Sequence, residues 1–199
     1  MPQEEDNIMR SQKGARPTGT DGSDFWHRES IAWQYKISTI NKSRLKLDML
    51  IHGIMSFFML IRLLPAIFAF WGIPQPQFMK RWRFPPPRPW EFAWFVSTVA
   101  IVFGWKAIPR NVTVLLKQYI IGTVVFGLLP VLYGIIEQFD DLLGYLDNKK
   151  LALYFFTYPA VLVWYMFLAI AAQLHMFGIY FSIRLLRAWK ASESKPKLR

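Results

Sequence analysis

Long runs of apolar residues, rather than a regular alternation of apolar and polar positions, dominate this sequence. The longest stretch without Asp, Glu, Lys or Arg covers residues 151–183, which is thirty-three positions. A helix of that length in a soluble domain would keep a polar face, with polar residues at every third or fourth position, and this stretch has none. Because roughly 20 apolar helical residues cross the hydrocarbon core of a bilayer, the stretch predicts a membrane-spanning helix.

Four spans are predicted in all. They lie at about 47–71, 90–108, 116–136 and 152–179. The second is the weakest, because only residues 92–105 within it are free of charge, and a re-entrant hairpin is an alternative there. The third contains Gly122, Gly127 and Gly134, and small residues allow a neighbouring helix to approach closely. The predicted fold class is an all-α integral membrane protein, with four transmembrane helices in a membrane domain over residues 47–180.

The residues that precede the first span predict an amphipathic N-terminal helix. Trp26, Trp33, Ile37 and Ile40 fall on one face at helical spacing, and Arg28 and Lys36 lie around that face. Tryptophan flanked by lysine and arginine is typical of a helix that lies in the headgroup region of a bilayer. We therefore expect residues 1–46 to form a cytosolic tail followed by an interfacial helix. A solvated helix that packs on the rest of the protein is the alternative.

The last apolar run is longer than one membrane crossing needs. Its thirty-three residues would measure about 50 Å as a helix, whereas the hydrocarbon core is roughly 30 Å thick. We expect the span to end near residue 179, and residues 181–199 to form a helical cytosolic extension and a tail.

Three ionisable side chains other than tyrosine stand out within the predicted spans. They are His52, Arg62 and His175. If the first helix enters the membrane at Leu47, Arg62 lies about 22 Å deeper at 1.5 Å per residue, near the far face of the bilayer. There it can reach the headgroups or face the bundle. His175 is most simply a polar side chain that bonds a neighbouring helix or reaches the cytosolic interface, and a role in transport is the alternative for Arg62.

The basic residues set the expected orientation. The formal net charge is +11, and with several spans present this favours an anionic membrane surface over nucleic acid as the partner. Residues 1–46, 106–117 and 184–199 together hold seventeen lysines and arginines, whereas residues 72–90 and 137–150 hold six. Cytosolic loops are enriched in lysine and arginine, so both termini are expected in the cytosol.

Side chains that could carry chemistry are few. The chain has no cysteine, which removes disulfides, thiolate metal sites and thiol catalysis. Its histidines are far apart and none begins a zinc-binding spacing, and neither a nucleophile elbow nor a phosphate-binding loop is present in the sequence. We therefore predict no catalytic, cofactor or metal site. A lipid-modifying enzyme is a weaker alternative, against which the missing histidine–acid motifs count.

The last residues of the sequence, KPKLR, form a candidate sorting signal. Lys195 and Lys197 stand five and three places from the end. This looks like the K-x-K-x-x form of the dilysine signal, which coatomer reads when it returns membrane proteins to the endoplasmic reticulum. The signal requires an exposed cytosolic tail with a free carboxyl terminus, and the expected orientation supplies one.

Four stretches together resemble the Jagunal family of small endoplasmic-reticulum membrane proteins. They are GTDGSDFWHRESIAWQYK at 19–36, IPRNVT at 108–113, LLPVLYG at 128–134 and AAQLHMFGIYFSIRLLRAW at 171–189. The stretches follow the same order as in the family and are spread over most of the chain. The resemblance implies a four-span, multi-pass protein of the endoplasmic reticulum membrane with both termini cytosolic.

The resemblance also implies a function. The family is linked to the organisation of the endoplasmic reticulum and to vesicle-mediated transport in the early secretory pathway, and it has no established catalytic residues. The expected partners are the lipid bilayer, coatomer through the tail, and other membrane proteins of the secretory pathway. The alternative from a different class is a small multi-pass transporter or channel, motivated by Arg62 and the two histidines in the spans.

Overall fold

Helices make up nearly all of the structure. It is a computed structural model, and it describes residues 23–80, 85–147, 154–155 and 157–193. In chain order the elements are α1 (Ser23–Phe70), α2 (Gln77–Lys80), α3 (Pro89–Phe95), α4 (Thr98–Arg110), α5 (Thr113–Gly122), a π-helix (Thr123–Leu128), α6 (Leu129–Glu137), α7 (Phe139–Asp147), β1 (Tyr154–Phe155), β2 (Tyr158–Pro159) and α8 (Ala160–Glu193).

Four helical stretches are long and apolar enough to cross a membrane, as the sequence predicts. Within the described residues they cover Arg28–Phe70, Pro89–Arg110, Thr113–Asp147 and Ala160–Lys190. The second stretch joins α3 and α4 through a single turn, and the third joins α5, the π-helix, α6 and α7. The four predicted spans are therefore present as four helical stretches.

The first span and the N-terminal amphipathic segment form one helix. α1 runs for 48 residues, which is about 72 Å at 1.5 Å per residue and more than twice the thickness of a hydrocarbon core. Neither glycine nor proline occurs in it before Gly53, so nothing in the sequence ends a helix between the two predicted elements. Where the sequence predicts a separate interfacial helix, the structure has a continuous extension of the first span.

The fourth span begins later than the sequence predicts. α8 starts at Ala160 rather than near residue 152, and it runs for 34 residues to Glu193. Directly before it, β1 and β2 pair antiparallel. Pro159 explains the start of the helix, because proline lacks the N–H that a helix interior needs. Within the described residues the fold is thus all-α apart from this small two-stranded turn, and the predicted extension after residue 180 is helical.

α1 and α8 pack antiparallel along most of their lengths. Three pairs mark the register of this interface: Ser38 with Trp189, His52 with His175, and Arg62 with Trp164. From one pair to the next, the residue number on α1 rises by nearly as much as the residue number on α8 falls. The second and third spans pack onto this pair of helices.

Two clusters of buried apolar residues fill the bundle. One cluster includes Leu45, Met49, Ile108, Leu116, Tyr119 and Leu185. The other includes Met59, Leu63, Trp90, Trp94, Val131 and Leu168. Along α1, His52 and Ser56 lie between the residues of the two clusters, so polar side chains occupy the level at which the clusters meet.

A π-helical turn interrupts the third span. The N–H of Leu129 donates to the carbonyl of Val124, five residues earlier. The next residue, Pro130, has no N–H, so the Phe126 carbonyl loses the donor that an α-helix would supply. The wider turn accommodates this loss, and its Gly127 lies against α8.

Candidate functional site

A stripe of polar residues runs along the buried face of α1. Asn41, Asp48, His52 and Ser56 are separated by seven, four and four positions, a spacing that places side chains on one face of a helix. All four side chains are buried. Asn41 bonds within its own helix, where its Nδ2 donates to the carbonyl of Ile37 at 2.8 Å. The stripe marks the face along which α1 meets the other spans.

His52, which lies on this stripe, contacts His175, the histidine of the fourth span. The rings of His52 and His175 are nearly perpendicular, with their centroids 4.8 Å apart. Nε2 of His52 lies 2.9 Å from the hydroxyl of Ser97, and the indole N–H of Trp94 donates to Nε2 of His175 at 2.8 Å. Because an indole N–H can only donate, Nε2 of His175 accepts, and this imidazole is neutral with its proton on Nδ1. The pair therefore joins the first and last spans to the second.

A glycine of the third span makes room for His175. A Cβ on Gly127 would lie 2.9 Å from the imidazole ring, which is closer than a side chain can approach without a shift of its neighbours. Glycine in a transmembrane helix allows this close contact. All four spans thus meet around the two histidines.

One turn before His52, Asp48 meets the third span. The hydroxyl of Tyr119 donates to Oδ2 of Asp48 in a long hydrogen bond of 3.4 Å, and Tyr119 and Asp48 are 1% and 6% exposed. Gly178 on α8 leaves the space that this contact needs, because a Cβ there would lie 2.6 Å from Oδ2. A buried carboxylate is therefore held between three spans. We call Asp48, His52, Trp94, Ser97, Tyr119 and His175 the polar core.

Arg62 forms a second polar group, towards the end of the bundle opposite the start of α1 and the end of α8. Its Nε lies 3.7 Å from Oε2 of Glu91, and both side chains are buried. Its Nη2 donates to the carbonyl of Pro85 at 2.6 Å, and its guanidinium lies 5.6 Å from the centroid of the Trp164 ring. Arg62 therefore faces the bundle, one of the two placements expected from its depth.

Arg88 links the start of the second span to the end of the third. Its backbone N–H donates to Oε1 of Glu91 at 3.0 Å, and its side chain pairs with Asp141 and lies 3.7 Å from Glu137. The Arg88 side chain is 29% exposed, so this outer pairing contributes less than about 1 kcal/mol per contact.

Other predicted site residues lie on the outer part of α1 or outside the described residues. On α1, Trp33 and Ile37 are half-buried, whereas Arg28, Lys36 and Ile40 are exposed. Their contact with lipid headgroups remains a prediction. The side chain of Trp26 and both tail lysines, Lys195 and Lys197, lie outside the part of the chain that the structure describes.

The sequence reasoning missed the two buried carboxylates. Asp48 and Glu91 sit at the edges of predicted spans, where a charge is normally solvated, and only the packing shows that they are buried. For Asp48 a signal was available, because it stands four residues before His52 and hence on the same helical face. For Glu91 the sequence offers no such signal.

The side chains of the polar core join neighbouring helices. Among the described residues, no group of three or more His, Cys, Asp or Glu side chains is placed to hold a metal ion. Hydrogen bonds between spans fix which helical faces meet, since polar groups inside a membrane bundle need partners. The contacts therefore specify the arrangement of the four helices.

Comparison with known proteins identifies the family. The model of the Jagunal family, described as "Jagunal, ER re-organisation during oogenesis", matches residues 9–193. The chain belongs to the Jagunal family. Its resemblance to this family in sequence is thereby confirmed over nearly its whole length.

Relatives from distant animals match over the same length. Protein jagunal of Drosophila melanogaster is 31% identical over 197 residues, which cover 95% of this chain and 99% of that protein. Protein jagunal homolog 1-B of Danio rerio is 32% identical over 189 residues, with coverage of 95% and 99%. Protein jagunal homolog 1 of Homo sapiens is 28% identical over 189 residues, with the same coverage. The chain is thus a multi-pass membrane protein of a family linked to the organisation of the endoplasmic reticulum.

Proposed function

We propose that this Jagunal protein resides in the endoplasmic reticulum membrane, helps to organise that membrane, and supports vesicle-mediated transport in the early secretory pathway without catalysing a reaction. The observation that carries the proposal is the match of residues 9–193 to a family described by re-organisation of the endoplasmic reticulum. The transport role is the finer part of the proposal, and it rests on the tail.

The contacts of the polar core support a non-catalytic role. Within the described residues, Asp48 is held by Tyr119, His52 lies against Ser97, and the acceptor nitrogen of His175 is occupied by Trp94. The transport alternative was motivated by the histidines and Arg62. The histidine rings pack edge to face, and Arg62 is engaged by Glu91 and a backbone carbonyl, so packing accounts for all three residues.

In this proposal both termini lie in the cytosol. The support is the excess of seventeen lysines and arginines over six on the two sides of the four spans. In the same orientation, residues 194–199 follow a helix that emerges on the cytosolic side.

α8, the helix that precedes the tail, packs against α1 over a distance greater than the thickness of the hydrocarbon core. The contacts between α1 and α8, from Arg62–Trp164 to Ser38–Trp189, extend over about 36 Å at 1.5 Å per residue, which exceeds a roughly 30 Å core. At the outer end the indole N–H of Trp189 donates to the Ser38 hydroxyl at 3.1 Å, and Nζ of Lys42 lies 5.7 Å from the centroid of the Trp189 ring. We call residues 28–46 of α1 and 180–193 of α8 the stalk. It would hold the tail away from the bilayer, where Lys195 and Lys197 can bind coatomer.

The experiment is complementation in cells that lack the protein. We expect its loss to slow the exit of a secretory cargo from the endoplasmic reticulum, and the full chain to restore that exit. The Lys195→Ser/Lys197→Ser variant should escape to later compartments and lose coatomer in detergent extracts. Lys190→Ser, which removes an exposed lysine at the end of α8, is the matched control and should behave as the wild type.

Two outcomes separate the parts of the proposal. A double lysine variant that stays reticular and keeps coatomer would overturn the tail assignment alone. Unchanged cargo exit after loss of the protein would overturn the transport role.

A further inference from the structure

A cavity of about 450 Å³ lies at the end of the bundle opposite the start of α1 and the end of α8. Its wall combines a proline run, aromatic rings and acidic side chains, including Pro85–Pro89, Glu91, Asp140, Asp141, Tyr145 and Trp164. The second span begins at Pro89 and the fourth at Ala160, and both residues line the cavity. In a bilayer that these spans cross, a cavity at their ends would lie near the headgroups.

A buried carboxylate without a full set of partners lines this cavity. Glu91 is 1% exposed, and its Oε1 accepts the backbone N–H of Arg88. Its Oε2 has no hydrogen-bond partner among the described residues, since Nε of Arg62 lies at 3.7 Å. Burial of an acceptor without a donor is costly, so a ligand that brings an N–H group to Glu91 would satisfy it.

The other charged groups of the wall match a ligand that is positive at one end and negative at the other. Asp140 adds negative charge to the same wall as Glu91, and Arg88, which also pairs with Asp141, supplies a guanidinium, the group that pairs best with phosphate. Tyr145 and Trp164 provide aromatic surface of the kind found at the membrane–water boundary.

We propose that this cavity binds the headgroup of a phospholipid that carries a primary ammonium group, as phosphatidylethanolamine does. The ammonium group donates to Glu91 and faces Asp140, and the phosphate lies beside Arg88. The methylated ammonium of phosphatidylcholine has no N–H to donate, and phosphatidylglycerol brings no positive charge. The site therefore selects for the primary amine. This inference goes beyond the proposed role in transport and does not depend on it.

The test measures lipid binding to the full chain, purified and stripped of lipid, by non-denaturing mass spectrometry. Phosphatidylethanolamine, phosphatidylcholine and phosphatidylglycerol with identical acyl chains are titrated separately. We expect phosphatidylethanolamine to bind about ten-fold more tightly than the other two, because only it can hydrogen-bond to and neutralise the acidic wall. Asp140→Asn and Glu91→Gln should each remove most of this preference. Asp147→Asn is the control, since Asp147 lies on the same helix, α7, and does not line the cavity.

Asp140 is exposed, so Asp140→Asn keeps the test valid if Glu91→Gln unfolds the protein. Equal affinity for the three lipids would overturn the proposal, and so would an unchanged preference in Asp140→Asn. Displacement of phosphatidylethanolamine by a short lysine peptide at equal concentration would assign the cavity to a basic protein segment and would also overturn it.

Discussion

The imidazole rings of His52 and His175 meet edge to face inside the bundle, with their centroids 4.8 Å apart. They come from the first and the last span, and each bonds a residue of the second span. A contact between the first and the last span is thus fixed by polar groups at the level where the two apolar clusters meet. Its energetic role can be measured.

Replacing His175 should destabilise the bundle. In His175→Leu the Trp94 indole N–H loses its acceptor in a buried position, which we expect to cost about 1–3 kcal/mol. Thermal unfolding of the detergent-solubilised protein measures the effect. Gln173→Leu changes an exposed polar residue on the same helix and should stay within about 0.5 kcal/mol of the wild type. Equal unfolding temperatures for the two variants would contradict a role for the histidine contact.

Replacing glycine by alanine at a close helix contact should destabilise the protein. Gly127→Ala places a Cβ 2.9 Å from His175, and Gly178→Ala places one 2.6 Å from Asp48. We expect each to lower the free energy of unfolding by about 1–3 kcal/mol through overpacking. Gly53→Ala is the control, because a Cβ there meets nothing within 4 Å, and it should be neutral or slightly stabilising since alanine favours helix. Destabilisation by all three would indicate a general loss of glycine flexibility instead.

Arg62 and Glu91 should be coupled. Either Arg62→Gln or Glu91→Gln alone leaves a buried charge without its partner, which costs about 3–5 kcal/mol. The double variant should cost less than the sum of the two, and a double-mutant cycle of unfolding free energies measures the difference. Asp141→Asn, which removes a partner of the more exposed Arg88, should cost less than about 1 kcal/mol. Strict additivity would show that the two buried charges act independently.

The stalk can be tested by cross-linking, because the chain has no cysteine of its own. We expect Ser38→Cys combined with Trp189→Cys to cross-link with a short bismaleimide in native membranes, since these side chains touch across α1 and α8. Tyr35→Cys with Trp189→Cys is the control, because Tyr35 is 75% exposed. Absence of the first cross-link would favour the interfacial helix that the sequence predicts.

The sequence predicted the four spans but not the contacts between them. Charge-free runs indicate spans because the free energy of transfer from water to lipid is set by each residue separately, so it is a local property of the sequence. The contact between His52 and His175 depends on which helical faces pack together, and the composition of the spans does not determine which faces these are. The start of α8 was misplaced for a different reason: the apolar run continues before Pro159, but the helix begins only after this proline.

The candidate site was predicted only in part. His52, Arg62 and His175 stood out because ionisable residues are rare within spans. Asp48 and Glu91 were overlooked because a carboxylate at the edge of a span is usually solvated. Their burial arises from close approach of neighbouring helices, at Gly178 for Asp48 and beside Arg62 for Glu91.

The most direct test of the proposed function is the shape of the endoplasmic reticulum in cells that lack this protein. The network is imaged with a membrane marker before loss, after loss, and after the full chain is restored. We expect loss to change the proportion of sheets and tubules, and the full chain to bring that proportion back. A network that keeps its shape after complete loss of the protein would contradict a role in organising the endoplasmic reticulum.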